Sequence, residues 1–252
     1  MTSGLQGNVD PDFLSQVRLP PVTGRSLGPV TVGEGKPEAF VNAGSTTSFV
    51  ANVTGQSRQD VLDSTLFAQL GADHDWDRES ETDKWYKRYQ EILTHSGWVL
   101  QEFDFKKYEG SGTGFDVMGV VIDLIAALLS EQGKLVAEAS INAFKALKDD
   151  DDRIVLFEQK SHGAKDGNFQ LGFADETNGA LTLGLGAFYF STDETVTKIL
   201  WFKFEESNST FYQSHQTMTL NKDKYAKHAR ELIRDKLGKA IEKFVAGVEI
   251  DV

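Results

Sequence analysis

Cysteine is missing from all 252 residues, which excludes disulfides, zinc fingers, iron–sulfur clusters, thiol catalysis and S-acylation together. Proline is scarce after the start: Pro11, Pro20, Pro21, Pro29 and Pro37 are all five of the chain. Basic residues are short too, 26 Lys and Arg against 38 Asp and Glu, for a formal net charge of -12. Phosphate-backbone binding needs clustered cations, so nucleic acid is not an expected partner. Long hydrophobic runs are also lacking. The best, Val117 to Leu129, is interrupted by Asp123 and falls short of the roughly 20 residues a bilayer requires, so no transmembrane segment is expected. Met1-Thr2-Ser3-Gly4-Leu5 shows neither a basic nor an apolar signal region. Synthesis in the cytoplasm is the expectation, with any export by a route that needs no signal peptide.

Catalytic and cofactor signatures are equally sparse. His74, His95, His162, His215 and His228 fall in no zinc-binding H-x-x-x-H or H-E-x-x-H spacing. No G-x-S-x-G pentapeptide exposes a serine nucleophile. Gly110-Ser111-Gly112-Thr113-Gly114 lacks the Lys-Ser/Thr ending of a phosphate loop and reads as a flexible linker. The acids from Asp73 to Glu81 alternate as in a calcium loop, but Arg78 and Lys84 stand where that loop needs Gly and Glu. No metal and no cofactor is expected. Asp149 to Asp152 reads as a solvated loop, oddly placed because a helix C-terminus favours cations.

What is present is enough apolar content, 40%, to bury a full core. The Pro/Gly-rich residues 1–50 keep no helical period and read as an extended arm, with Phe13, Leu14, Val17, Leu19, Val30 and Val32 available to dock it on its own domain or on a neighbouring subunit. Residues 51–252 read as a single α+β domain. Ser57 and Asp60 suggest a helix start, with Val61, Leu62, Leu66, Phe67 and Leu70 on one face as far as Gly71. A second helix, capped by Ser80 or Thr82, carries Trp85, Tyr86, Tyr89, Ile92 and Leu93 and ends at Gly97. Trp98 to Phe105 alternates like a strand. From Asp116 to Lys148 the polar residues Asp116, Asp123, Ser130, Lys134, Glu138, Lys145 and Lys148 share one stripe of a helical wheel. That pattern predicts one long apolar helix of roughly 50 Å at 1.5 Å per residue. Strands are then expected at 153–160, 168–174, 180–190, 196–205 and 210–220, with Asn178-Gly179 as a type I′ turn. A helix from Asn221, with Tyr225, Leu232, Ile233, Leu237, Ile241 and Phe244 inward, completes an antiparallel meander packed against a long central helix and flanking helices.

One strand is unusual. At a period of two, Thr182, Gly184, Gly186 and Phe188 share a face, with Leu181, Leu183, Leu185 and Tyr189 opposite. Mid-strand glycines mark a close approach by another backbone or a ligand. The helix 116–148 seated on them is the plain reading. An apolar ligand held there is the sharper one, and Gly184, Gly186, Phe188, His162 and His215 are its candidate binding residues.

The segments Val53-Thr54-Gly55-Gln56, Asp63 to Leu70, Lys84-Trp85-Tyr86, Gly97 to Gln101 and Gly186 to Thr192 resemble the bacterial Evf-type virulence factors, a group associated with persistence in the insect gut. The resemblance spans about residues 50–250. It implies an α+β fold, no established enzyme activity and membrane association through a palmitoylated cysteine. With no cysteine this chain carries no thioester-linked acyl group, so any lipid association is non-covalent.

The expected function is that of a non-enzymatic interaction or virulence-associated protein. Its expected partners are a second copy joined through the N-terminal arm and a lipid or host surface. The alternative is an enzyme, a hydrolase or one acting on acyl groups, with its site between the long helix and the sheet.

Overall fold

In the computed structural model, residues 7–23, 25–110, 114–126, 129, 131–199, 202–204 and 209–251 are described. In chain order they form α1 (Pro11–Gln16), β1 (Glu38–Asn42), β2 (Ser45–Phe49), α2 (Gly55–Asp75), α3 (Thr82–His95) and β3 (Trp98–Val99). Then come β4 (Lys106–Lys107), β5 (Phe115–Asp116), α4 (Val117–Ala126), α5 (Glu131–Ala146), α6 (Asp152–Ser161), β6 (Asp166–Thr177) and β7 (Ala180–Ser191). The rest is β8 (Lys203–Phe204), β9 (Thr210–Leu220), α7 (Lys222–His228), α8 (Arg230–Leu237), α9 (Ile241–Phe244) and β10 (Val245–Val248).

The middle of the sheet is the meander expected from sequence. Asn178 and Gly179 both adopt positive φ, 53° and 80°, as a two-residue type I′ turn requires. They close the hairpin with Thr177 opposite Ala180, and β9 pairs antiparallel along β7. The full order is β10-β1-β2-β6-β7-β9-β3, with β4 also on β9 and a separate β5–β8 pair. All pairings are antiparallel except β2 with β6, so the α+β class holds with a mostly antiparallel sheet. Glu38–Asn42 and Ser45–Phe49, expected within the arm, are two of its strands.

Helices cover both faces. Cross-strand neighbours share a face, which puts Ser48, Phe173, Gly184 and Thr217 in one row. On that side lie α4, α5 and α6, through contacts such as Ser48 with Ser140 and Phe157 with Phe169. On the other side Asn42 and Asn168 meet α2 and α3. The arm seats on its own chain: Leu14 and Val17 are buried, Asp10 N–H donates to His95 O at 2.9 Å, and Leu27 N–H to Glu242 O at 2.8 Å.

Several elements differ from expectation. The region 116–148 is two helices, ending at Ala126 and resuming at Glu131, with residues 127, 128 and 130 outside those described. A single rod of roughly 50 Å would overhang the longest strands, about 40 Å at 12 residues, and expose apolar turns. Broken in two, α4 lies along β7 while α5 lies over β2, β6 and β10. The buried spine is instead α2, which starts at Gly55 under a Thr54 cap, not at Ser57, and runs through Gly71 to Asp75.

Residues 153–160 are helix, not strand. Burial falls on Ile154, Leu156, Phe157 and Ser161, with Ile154, Phe157 and Ser161 at helical spacing, and Asp151 caps the N-terminus by accepting from Arg153 N–H. The acidic run thus serves the start of α6, where the helix dipole favours anions. Glu81, not Ser80 or Thr82, takes the α3 cap position. Trp98 to Phe105 pairs only at Trp98–Val99, because Gln101 N–H donates to the Gln216 side chain in place of the β9 backbone. Val196 to Glu205 contributes only Lys203–Phe204 as strand, with residues 200, 201 and 205 outside those described, as are 111–113 of the glycine-rich linker. The C-terminal helix breaks into α7, α8 and α9, with Gly238 at φ 46°, and yields an unexpected strand, β10.

Candidate interaction site on the glycine-bearing face of the sheet

Gly184 and Gly186 stand mid-strand in β7, between Phe173 and Leu171 of β6 and Thr217 and His215 of β9. A Cβ on Gly184 would lie 3.7 Å from Leu129 Cδ2 and 3.8 Å from Phe173 O. Leu129 belongs to the connection between α4 and α5, so the glycine floor at this point lies beneath that layer. Phe188 is buried farther along, stacked on Phe169 at 5.0 Å. His215, opposite Gly186, is exposed. His162 is not part of this patch: it follows α6 and bridges Gly167. Four of the five candidate residues therefore share one face of β7 and β9, and the fifth sits at the entry to β6.

Between α5 and the sheet, Thr46, Ser48, Ser140, Ile141, Phe144, Leu171 and Phe173 enclose about 10 Å³, room for at most one water. A larger groove of about 760 Å³ lies elsewhere, along β10, with Val30, Lys36, Glu38, Asp152, Arg153 and Glu249 among its walls.

The two helical layers are attached differently. On the α2–α3 side, Asn42 Nδ2 donates to Leu62 O and Thr65 Oγ1, and Gln69 Nε2 to Asn42 O and Ser45 Oγ. Tyr86 OH donates to Asn168 Oδ1 at 2.6 Å, and its burial raises the phenol's pKa well above the ordinary value. Salt bridges Arg230–Asp60 and Arg234–Asp63 bolt α8 onto α2. On the other side, among the described residues, α5 meets the sheet through one side-chain hydrogen bond, Ser48 Oγ to Ser140 Oγ at 2.8 Å. The rest of the contact is apolar: Val136, Ile141 and Phe144 of α5 are buried, as are Val117 and Val121 of α4. Leu135 of α5 points outward with 59% of its surface exposed.

Sequence reading missed Ser48, Ser140 and Leu135. Ser140 carried a signal, since it is a polar residue well outside the polar stripe of the 116–148 wheel. The acids of the calcium-like run are occupied within the chain. Asp73 accepts from Trp85 Nε1, Asp75 pairs with Arg88, and Asp77 accepts from Ser80.

These layers define a mixed sheet between two helical coats. No family model matches the chain and no curated protein is found similar to it. Among solved structures it is similar to a delta-endotoxin, with 11% identity and a TM-score of 0.45 over 80% of this chain and 90% of that one. It is also similar to the Evf virulence factor, at 9% identity and a TM-score of 0.30 over 87% and 84%. A third is the activated Cyt2Ba monomer from Bacillus thuringiensis subsp. israelensis, at 10% identity and a TM-score of 0.28 over 53% and 77%.

Proposed function

We propose that this protein works by binding rather than by catalysis and docks its α4–α5 layer on a lipid surface, in keeping with the virulence-associated role that resemblance to the Evf-type factors implies. The observation that carries this reading is the unequal attachment of the two coats. Polar side-chain bonds lock α2 in place, because breaking them strands buried donors and acceptors at about 1–3 kcal/mol each. Apolar contact holds α4 and α5, and lipid offers an equivalent environment for the same side chains. No helix is long and apolar enough to cross a membrane among the described residues, so the docking is interfacial.

Co-sedimentation with phosphatidylcholine vesicles tests the proposal. Binding is expected, and it should weaken on phosphatidylserine vesicles because the chain is acidic. Leu135→Glu, at an exposed position, should lower the partition constant about tenfold or more without unfolding the protein. A chain that stays in the supernatant with both vesicle types, or binds equally with the substitution, would sink it.

A further inference from the structure

His162 sits where three segments meet: the end of α6, the turn 163–167 that enters β6, and the connection 192–199 that leads on to β8. Its Nδ1 lies 2.6 Å from Gly163 O, and its Nε2 lies 2.6 Å from Glu158 Oε2. A carbonyl only accepts, and so does an ionised carboxylate, so beside an ionised Glu158 both ring nitrogens carry protons, the imidazolium form. The same Glu158 Oε2 accepts from Ile199 N–H at 3.0 Å, while Glu158 Oε1 is buried without a partner among the described residues. Backbone bonds complete the junction: Thr192 N–H to Lys165 O and Val196 N–H to Ala164 O.

We propose that His162 and Glu158 form a pH-sensitive latch that holds the connection 192–199 against α6 while the imidazole is protonated and releases it when the proton leaves. A neutral ring has one N–H, so one of its two acceptors would face a lone pair. Glu158 would then keep a buried negative charge whose counter-charge has gone, with the Ile199 amide alone to hold it. Relaxation of that carboxylate toward water frees the amide.

The charged groups around the ring support the protonated state. Glu158 faces it from α6 and Glu79 from the turn before α3, with Asp77, Arg78 and Asp166 acting in turn on Glu79. From the connection itself, Lys198 is paired with Asp149. Burial opposes the imidazolium charge, but the hydrogen bonds to Glu158 and Gly163 O and the charges of Glu158 and Glu79 outweigh it, raising the His162 pKa. With the closed-state pKa above the ordinary value of 6.5, the latch is at full strength below pH 6.5. It weakens as pH rises through the closed-state pKa. Opening would pass to the root of α4, since β8 pairs with β5 and Val117 N–H donates to Phe202 O.

Amide hydrogen exchange at Ile199, with the His162 ring followed by NMR on the same samples, tests the latch independently of any lipid. The ring should titrate above pH 6.5. Protection at Ile199, corrected for intrinsic exchange, should fall by up to about tenfold per pH unit between the open-state and closed-state pKa values. His162→Gln and Glu158→Gln should abolish that pH dependence. The wild-type titration stands alone if a variant fails to fold. A ring already neutral at pH 6, or Ile199 protection that stays flat while the ring titrates, would overturn the proposal.

Discussion

Arg58 carries its charge where none of its side chain is exposed. Its Nη1 donates to Glu38 Oε2 at 2.7 Å, Nε to Val53 O at 2.9 Å, and Nη2 to Lys36 O and Val50 O. One guanidinium therefore fastens the start of β1 and the loop after β2 onto α2. Removing it leaves Glu38 and three carbonyls short of a donor, so Arg58→Ala should cost about 3–5 kcal/mol, read as a lower urea midpoint at unchanged slope. Arg58→Lys should recover little, because a single ammonium does not span four acceptors in a fork. A loss under about 1 kcal/mol would mean these segments are held by something else. Residues of this kind were illegible in the sequence. Asp60 read as part of a helix start, and Arg58, Asp63 and Gln69 lie outside the apolar face that the sequence shows, yet all four are buried. The arginines that neutralise Asp60 and Asp63 lie 170 and 171 positions further on, where no local pattern reaches.

Elements were legible where one local rule decided them. Asn178-Gly179 announces its hairpin by the positive φ that both residues tolerate, and the aromatic face of α3 follows a clean helical period. The rule failed where tertiary contact chose between readings, as in α6, whose short apolar run fits either period. It also failed at Ala43-Gly44, a tight turn between β1 and β2 hidden in what read as an extended arm. There Ala43 holds φ 52°, and a Cβ on Gly44 would come within 2.5 Å of the Lys160 carbonyl oxygen. Backbone does not yield as a side-chain tip does, so Gly44→Ala should destabilise by about 1–3 kcal/mol. Gly184→Ala is the contrasting case: its nearest neighbour would be at 3.7 Å, an ordinary contact, and stability should change by less than about 1 kcal/mol. Thermal unfolding of both variants checks the pair. Equal losses would show that the glycine in β7 is under tighter constraint than its neighbours indicate.

At the scale of the molecule, the sheet order joins β2 to β6 in parallel across more than a hundred residues, a pairing no periodicity in the sequence encodes. The order gives one sheet two unlike coats, and their unlikeness has a measurable consequence. Opening α2 strands the Gln69 and Asn42 groups and separates the Arg230–Asp60 and Arg234–Asp63 pairs, a concerted loss that should occur only with global unfolding. Opening α5 breaks the Ser48–Ser140 hydroxyl bond and exposes apolar surface. Hydrogen exchange should accordingly place α5 in a unit of lower opening free energy than α2, while the α2 amides exchange at the global limit. Ser140→Ala removes a net contribution of about 1 kcal/mol, so it should speed exchange in α5 roughly fivefold and leave α2 unchanged at conditions where opening is local. If α2 and α5 instead shared one opening free energy, the coats would be a single cooperative body. The α4–α5 layer could then reach lipid only by unfolding the whole chain, and the proposed docking would fail with it.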